Sequence, residues 1–140
     1  MARIRIELPV SYNFIATIPV RITDLNYGGH VGNDTVLSII HEARAQFLAQ
    51  YGYSETDLGG VGTIMSNAAI NFKSELFYGD VVTAFVAVRN ISRVSFDVVY
   101  LLKKGDGKVV TEAETGMVCF DYERKKVVSI PDKVKIKLTT

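Results

Sequence analysis

The 140-residue sequence has one cysteine, three prolines and no tryptophan. A single cysteine cannot form an internal disulfide or a cysteine-cluster zinc site, so the chain is not a disulfide-stapled scaffold. An excess of one charge sign is also missing, because 16 Lys and Arg oppose 15 Asp and Glu for a formal charge of +1. A dedicated nucleic-acid-binding protein normally has a strong basic excess, so this function class is disfavoured.

Long apolar runs are missing as well. The start, MARIRIELPV, interleaves charges with apolar side chains, and no later run is long enough to cross a bilayer. We therefore expect a cytoplasmic protein without a signal peptide or a membrane span. The 48% of hydrophobic and 22% of charged residues are close to the average of globular proteins, and the length predicts one domain, residues 1–140.

Alternating apolar residues predict strands over most of the chain, because the two-residue period is that of a strand with one buried face. The predicted strands are residues 3–8, 14–22, 64–72, 81–89, 94–102 and 109–122, with a short return over 127–130. Pro19 indicates that the strand over 14–22 lies at a sheet edge or carries a bulge. Gly79-Asp80 and Gly105-Asp106-Gly107 are typical of turns. Strands joined by such short turns are expected to be antiparallel.

One segment has the period of a helix instead. Apolar positions from Val36 to Leu48 predict a largely buried helix of about 17 residues, roughly 25 Å long. Asn33 or Asp34 is expected to cap its start and Gly52 to close its end. With no second strong helix, the fold class is α+β: a curved antiparallel sheet packed around one long central helix. Because one helix leaves the outer sheet face and an edge uncovered, we expect a homodimer or homotetramer.

Polar residues and glycines are concentrated just before this helix, in the segment RITDLNYGGHVGND, residues 21–34. Unpaired backbone N–H groups at a helix start carry partial positive charge, and glycines let a ligand come close to the backbone. Such a segment can hold a carbonyl oxygen that becomes negative during nucleophilic attack.

The same segment resembles the signature of the hotdog-fold acyl-CoA thioesterases, in their 4-hydroxybenzoyl-CoA thioesterase-like branch. That signature often reads R-x-x-D-x-D-x-x-G-H-V-N-N and is followed by a long helix carrying E-x-R. The matching residues here are Arg21, Asp24, Gly29, His30, Val31, Asn33, Glu42 and Arg44. The resemblance implies the hotdog fold and hydrolysis of the thioester bond of an acyl-CoA or acyl-carrier-protein substrate. Coenzyme A is then part of the substrate, and no retained cofactor is expected.

Two positions depart from the signature. Asn26 stands where much of the family has its catalytic Asp, and Gly32 stands at the first Asn of the N-N pair. An amide cannot act as a general base at neutral pH, but it can donate a hydrogen bond to a thioester carbonyl or hold a water. The working carboxylate must then come from elsewhere. Glu42 is the best candidate, since other hotdog thioesterases carry theirs on the central helix.

The resemblance therefore gives Asn26, His30 and Glu42 as candidate catalytic residues. His30 would polarise the carbonyl or relay a proton, and Glu42 would activate water. Backbone N–H groups around residues 28–31 and the helix start would hold the carbonyl oxygen. The candidate substrate-binding residues are Tyr27, Gly28, Gly29, Val31, Asn33 and Asp34.

The helix spacing adds an independent observation, because Asp34, Ser38 and Glu42 share one polar stripe. Because burial of unpaired polar groups is costly, we expect this stripe to line a water-filled channel or to face a neighbouring subunit or solvent.

Each candidate also has a purely structural explanation. His30 could cap the helix, Asn26 could serve a turn, Asp24 could brace the loop, and Glu42 could be a solvated carboxylate. Cys119 alternates with apolar neighbours and is interpreted as a core residue. Two histidines without a paired carboxylate cluster argue against a metal site.

Two other functions stay open at this point. An amide at position 26 fits a hotdog domain that binds acyl thioesters without cleaving them. A hydratase or dehydratase of the same fold would also use a histidine and an acidic residue, but it usually has a different loop sequence.

Overall fold

The computed structural model describes residues 4–139, which form an antiparallel sheet of six strands, a long helix and a short helix. The elements are β1 Phe14–Pro19, α1 Asn33–Ala49, β2 Gly62–Phe72, β3 Val81–Arg89, β4 Ser95–Lys103, β5 Val109–Asp121, β6 Lys126–Val127 and α2 Asp132–Leu138. The strand order is β1-β3-β4-β5-β2, and β6 pairs with β5. The predicted α+β class, a central helix on an antiparallel sheet, is confirmed.

The core lies between α1 and one face of the sheet. Phe47 and Ile40 of α1 are fully buried, as are Phe96, Tyr100 and Leu102 on alternate positions of β4. Burial of one such large apolar side chain stabilises the fold by about 1.5–3 kcal/mol, so this layer fixes the helix on the sheet. Neither described helix is long and apolar enough to cross a membrane.

The segment predicted as a first strand is not one. Residues 4–8 are extended but pair with no strand, and Arg3 lies outside the described residues. The segment lies over the outer face of the sheet, where its carbonyls accept side-chain bonds. Asn71 Nδ2 donates to the Ile4 carbonyl at 2.9 Å, and Arg89 Nη1 donates to the Glu7 carbonyl at 2.5 Å. The outer face is therefore partly covered by the chain itself, contrary to the expectation that it is bare.

The predicted helix has the expected length, but its caps differ. It runs over 17 residues, and its N-cap is Gly32, with no side chain accepting a bond from its first turn. Asn33 and Asp34 are the first helical residues, so the prediction that one of them caps the helix is wrong. Beyond the end of the helix, the Gly52 N–H donates to the Ala49 carbonyl at 2.9 Å, as the sequence suggested.

Two further differences concern strand β1 and the C-terminal region. The first strand stops at Pro19, three residues early, opposite Val81, where its partner strand β3 begins. The chain then makes a 3₁₀ turn over Ile22–Asp24. The short helix α2 was missed, because only Val134 and Leu138 are buried in it and two positions define no period.

The connection between β2 and β3 positions the site. These strands follow each other in sequence, but β4 and β5 lie between them in the sheet. Residues 73–80, here called the crossover segment, must therefore run from one side of the sheet toward the other. On this path the Leu76 carbonyl accepts the backbone N–H of Val31 at 2.9 Å, just before α1 begins.

A polar network holds the middle of α1 against the sheet. Arg44 is 6% exposed, its Nε donates to Glu55, and its Nη1 donates to the Tyr100 hydroxyl at 3.1 Å. The Tyr100 hydroxyl also bonds Thr115 Oγ1 at 2.7 Å, and burial raises the pKa of the Tyr100 phenol. His41, three residues before Arg44 on α1, bonds the other oxygen of Glu55 at 2.5 Å.

Replacing Tyr100 by Phe should destabilise the protein by about 1–3 kcal/mol, because Arg44 and Thr115 would each lose a buried partner. Urea unfolding at one fixed protein concentration measures this change in the free energy of unfolding. The control is Tyr78→Phe, which removes a hydroxyl from a side chain that is 64% exposed and should change it by under about 0.5 kcal/mol. Equal effects of the two substitutions would contradict the proposed stabilising role of the network.

Candidate active site

The loop before α1 is anchored at its first turn by Asp24. This carboxylate is buried and accepts the Arg21 backbone N–H at 2.8 Å and Arg21 Nη2 at 3.2 Å. Because both of its oxygens are bonded within the turn, Asp24 braces the loop, as one reading of the sequence suggested.

Asn26 closes a tight turn at the tip of the loop. Its Oδ1 accepts the Gly28 N–H at 2.9 Å, its N–H donates to the His30 carbonyl at 2.9 Å, and its carbonyl accepts the Gly29 N–H at 3.1 Å. Gly29 has a φ of +85°, which favours glycine at this position. The turn uses the oxygen of the Asn26 amide, and no hydrogen bond within residues 4–139 uses its Nδ2.

The free Nδ2 of Asn26 lies near the start of α1. A Cβ placed on Gly32 would be 3.7 Å from Asn26 Nδ2 and only 2.6 Å from Asp34 Oδ1. Glycine at position 32 therefore leaves the space in which the amide and the first turn of the helix meet. This open space is the physical effect of having glycine at position 32, where the family signature has asparagine.

The backbone donors of the loop are largely occupied. The N–H groups of Gly28, Gly29 and Val31 donate to Asn26 Oδ1, the Asn26 carbonyl and the Leu76 carbonyl. Three of the four donors over residues 28–31 are thus engaged within the protein, and the expectation that this segment holds a substrate oxygen stays a prediction. Among the described residues, the donors that remain are the His30 N–H, the Asn26 amide and the uncapped first turn of α1.

His30 lies in a groove at the start of α1, here called the helix-start groove, with a volume of about 350 Å³. Its lining residues are His30, Val31, Asn33, Val36, Phe72, Lys73, Ser74, Glu75 and Leu76. His30 Nδ1 lies 3.1 Å from the Val31 carbonyl. A carbonyl can only accept, so Nδ1 carries the proton, and Nε2 of the neutral ring presents its lone pair.

Glu75 is a site residue that sequence reasoning missed. Its Oε1 lies 4.0 Å from His30 Nε2, and its side chain is 63% exposed. No local pattern marks it, because it belongs to an irregular connection 45 positions after His30 in the chain. Only the crossover between non-adjacent strands brings it to the start of α1.

Glu42 lies in a different groove, on the β1 side of the helix. This second groove has a volume of about 220 Å³ and includes Asp24, Ser38, Glu42 and Gln46 in its lining. At 1.5 Å per residue, Glu42 is about 13 Å along the helix axis from Asn33. Its Oε2 accepts Gln46 Nε2 at 2.8 Å. The structure thus does not bring Glu42 to His30 within one chain, and its catalytic role stays a prediction.

The other residues singled out from the sequence lie either on the protein surface or in its core. Tyr27 is fully exposed at the loop tip, and Asp34 and Ser38 are exposed on the same helix stripe as Glu42. Cys119 is fully buried, and burial raises the pKa of its thiol to about 11, so it is an unreactive core residue. Among the residues that the structure describes, no three His, Cys, Asp or Glu side chains form a metal-binding group.

Comparison with known proteins gives a family match over most of the chain. The family described as the thioesterase-like superfamily matches residues 20–138, which include the loop, both helices and all strands except β1. This range contains every residue of the helix-start groove.

Individual relatives agree with this match. A 1,4-dihydroxy-2-naphthoyl-CoA hydrolase of Microcystis aeruginosa is 29% identical over 119 residues, covering 83% of this chain and 86% of the relative. The crystal structure of a hypothetical protein from Aquifex aeolicus has a TM-score of 0.82 and 28% identity, covering 91% of this chain and all of that one. A 1,4-dihydroxy-2-naphthoyl-CoA thioesterase from Synechocystis has a TM-score of 0.81 at 20% identity, covering 89% and 94% of the two chains.

Proposed function

The chain belongs to the thioesterase-like superfamily and has the hotdog fold, and we propose that its helix-start groove hydrolyses the thioester bond of an acyl-CoA. We choose this groove because of how the groups at the start of α1 are arranged. His30 lines this groove, and the Asn26 amide lies beside it: a Cβ on Gly28 would be 3.2 Å from Asn26 Oδ1 and 3.7 Å from His30 Nε2. The free Nδ2 of Asn26 would in turn be 3.7 Å from a Cβ on Gly32, at the uncapped start of α1. Donors for a carbonyl oxygen and an acceptor for a proton are the two requirements of acyl transfer to water.

The oxygen of the thioester is held by Asn26 and the helix start. As water attacks, negative charge develops on this oxygen, and hydrogen-bond donors and the positive end of the helix dipole stabilise it. His30 Nε2 accepts the proton of the attacking water and returns it to the sulfur as the C–S bond breaks. The products are a carboxylic acid and coenzyme A with a free thiol.

The groove also suggests how the two ends of the substrate are bound. Its apolar lining residues, among them Val36, Phe72 and Leu76, form a wall suited to an acyl group. Lys73 is exposed at the same groove and can meet the phosphates of coenzyme A. With a formal charge of +1 for the whole chain, such attraction is local. We take an acyl-CoA with an aromatic acyl group as the first substrate to test, because the relative from Microcystis is named for one.

The reaction needs no resident cofactor in this proposal, since water and the side chains of the groove supply its chemistry. Coenzyme A enters and leaves as part of the substrate and product. The cytoplasmic location stays a prediction, because it rests on the single cysteine and the lack of long apolar runs.

We also propose a homodimer that pairs through strand β2. This strand bonds β5 along one edge, and its residues 65–68 are exposed along a segment that includes the apolar side chain of Met65. An unpaired edge of this length is stabilised by a second copy of the chain. Static light scattering should give twice the chain mass at assay concentration, and a monomer that is fully active would contradict the dimer.

The activity itself is tested by free-thiol release from a panel of aromatic and aliphatic acyl-CoA substrates. We expect turnover on at least one, and His30→Ala should lower kcat by about 10²–10⁴-fold, the usual contribution of a general acid–base group. Glu123→Gln, in an exposed turn far along the chain, is the activity control. Binding of acyl-CoA without turnover on any member of the panel would favour the non-catalytic function instead.

Asn26→Asp tests whether the amide has a role of its own. The carboxylate keeps the acceptor for the Gly28 N–H, so the turn is retained, but the Nδ2 donor is lost and negative charge is added near the developing oxyanion. We expect kcat to fall by about 10²–10³-fold, the cost of losing one such donor. Asn13→Asp, a change of the same chemistry at an exposed position before β1, should leave kcat unchanged. A large gain in kcat would show that the native site lacks a base at position 26.

A further inference from the structure

We propose that Glu75 and His30 together bind the water that attacks the thioester, so that Glu75 supplies the carboxylate that Asn26 does not. This role rests on the proposed hydrolase function and deepens it. Glu75 lies outside the signature segment and reaches the site only through the crossover segment.

The distance between the two side chains fits a shared water. Glu75 Oε1 and His30 Nε2 are both acceptors when the ring is neutral, and they lie 4.0 Å apart. A water about 2.8 Å from each would see them at an angle of about 90°, near the roughly 104° between its two O–H bonds. One water can therefore donate to both atoms at once, which leaves its oxygen lone pairs directed away from them.

The backbone of Glu75 is fixed, although its carboxylate is open to solvent. Lys104 Nζ donates to the Glu75 carbonyl at 3.0 Å, and the next carbonyl, that of Leu76, accepts the Val31 N–H at 2.9 Å. These bonds hold the crossover segment beside the loop that carries His30. The backbone of Glu75 is thus placed beside His30, and its carboxylate stays open to solvent, so it remains able to hold a water.

Other carboxylates near the site are less suited to this role. Asp24 is buried and already accepts two bonds from Arg21, and Glu42 lies in the second groove. Asp34 lies against Gly32 at the helix start, where its oxygen faces the first turn. The other charged side chain of the groove, Lys73, pairs with Glu112 at 3.9 Å.

The chemical step balances within these groups. The water oxygen forms a bond to the carbonyl carbon, and the proton it loses moves to His30 Nε2. The negative charge of Glu75 stabilises the imidazolium that results. When the C–S bond breaks, the imidazolium returns that proton to the leaving sulfur, and both side chains regain their starting states.

Glu75→Gln is the decisive variant, because it keeps the size of the side chain and removes its charge. We expect kcat to fall by about 100-fold or more while KM changes by less than about threefold, because the carboxylate acts on water and not on binding. Glu75→Asp, which keeps the charge on a shorter stem, should recover part of the lost kcat. Glu123→Gln serves as the carboxylate control, and circular dichroism checks that each variant is folded.

The outcomes separate this inference from the function on which it rests. An unmodified chain that hydrolyses no substrate would refute the proposed function itself. An active chain whose Glu75→Gln variant keeps kcat within about threefold would overturn the role of Glu75 alone. Glu42→Gln tests the competing carboxylate: a loss of kcat there, with an active Glu75→Gln variant, would also overturn it. If Glu75→Gln fails to fold, Glu75→Asp decides, because an unchanged kcat overturns the role and a lowered kcat at unchanged KM supports it.

Discussion

One backbone hydrogen bond, from the Val31 N–H to the Leu76 carbonyl, joins the two segments that make the candidate site. The first segment is the loop that carries Asn26 and His30 into the helix, and the second is the crossover segment that carries Glu75. Without this bond the groove would lose one wall, since neither segment belongs to a regular strand or helix. The same bond uses the Val31 N–H, so this donor of the loop is not free to bind another group.

Much of the fold could be predicted from the sequence, because periodicity reports burial directly. Strands β2 to β5 lie within two residues of the predicted bounds, and α1 has the predicted length. The errors have physical causes. The alternation at residues 4–8 reflects a segment lying on the outer sheet face, where side chains of Asn71 and Arg89 bind its carbonyls. Helix α2 buries two side chains only, which is too few to define a period.

The candidate site was predictable only where it is continuous in sequence. The loop of residues 21–34 could be found because its composition and its position before a helix are local properties. The separation of Glu42 from His30 depends on which side of α1 faces β1, and this is decided by packing. The proximity of Glu75 depends on the strand order, which consecutive strands alone do not reveal. A motif can therefore mark a loop and still omit a neighbouring residue that lies far along the chain.

The buried network around Arg44 has a consequence for how such a protein can diversify. Arg44 lies in the middle of α1, about 17 Å from the first residue of the helix. Its bonds to Tyr100 and Glu55 fix the rotation of the helix about its axis and its position along that axis. Of the loop ahead of the helix, the buried Val31 shares in holding the helix in place, whereas the exposed loop tip does not. Tyr27, which is fully exposed at the loop tip, can be exchanged while the buried Val31 and the positive end of the helix dipole stay where they are. A scaffold of this kind keeps the start of its helix constant while exposed side chains beside that helix start vary.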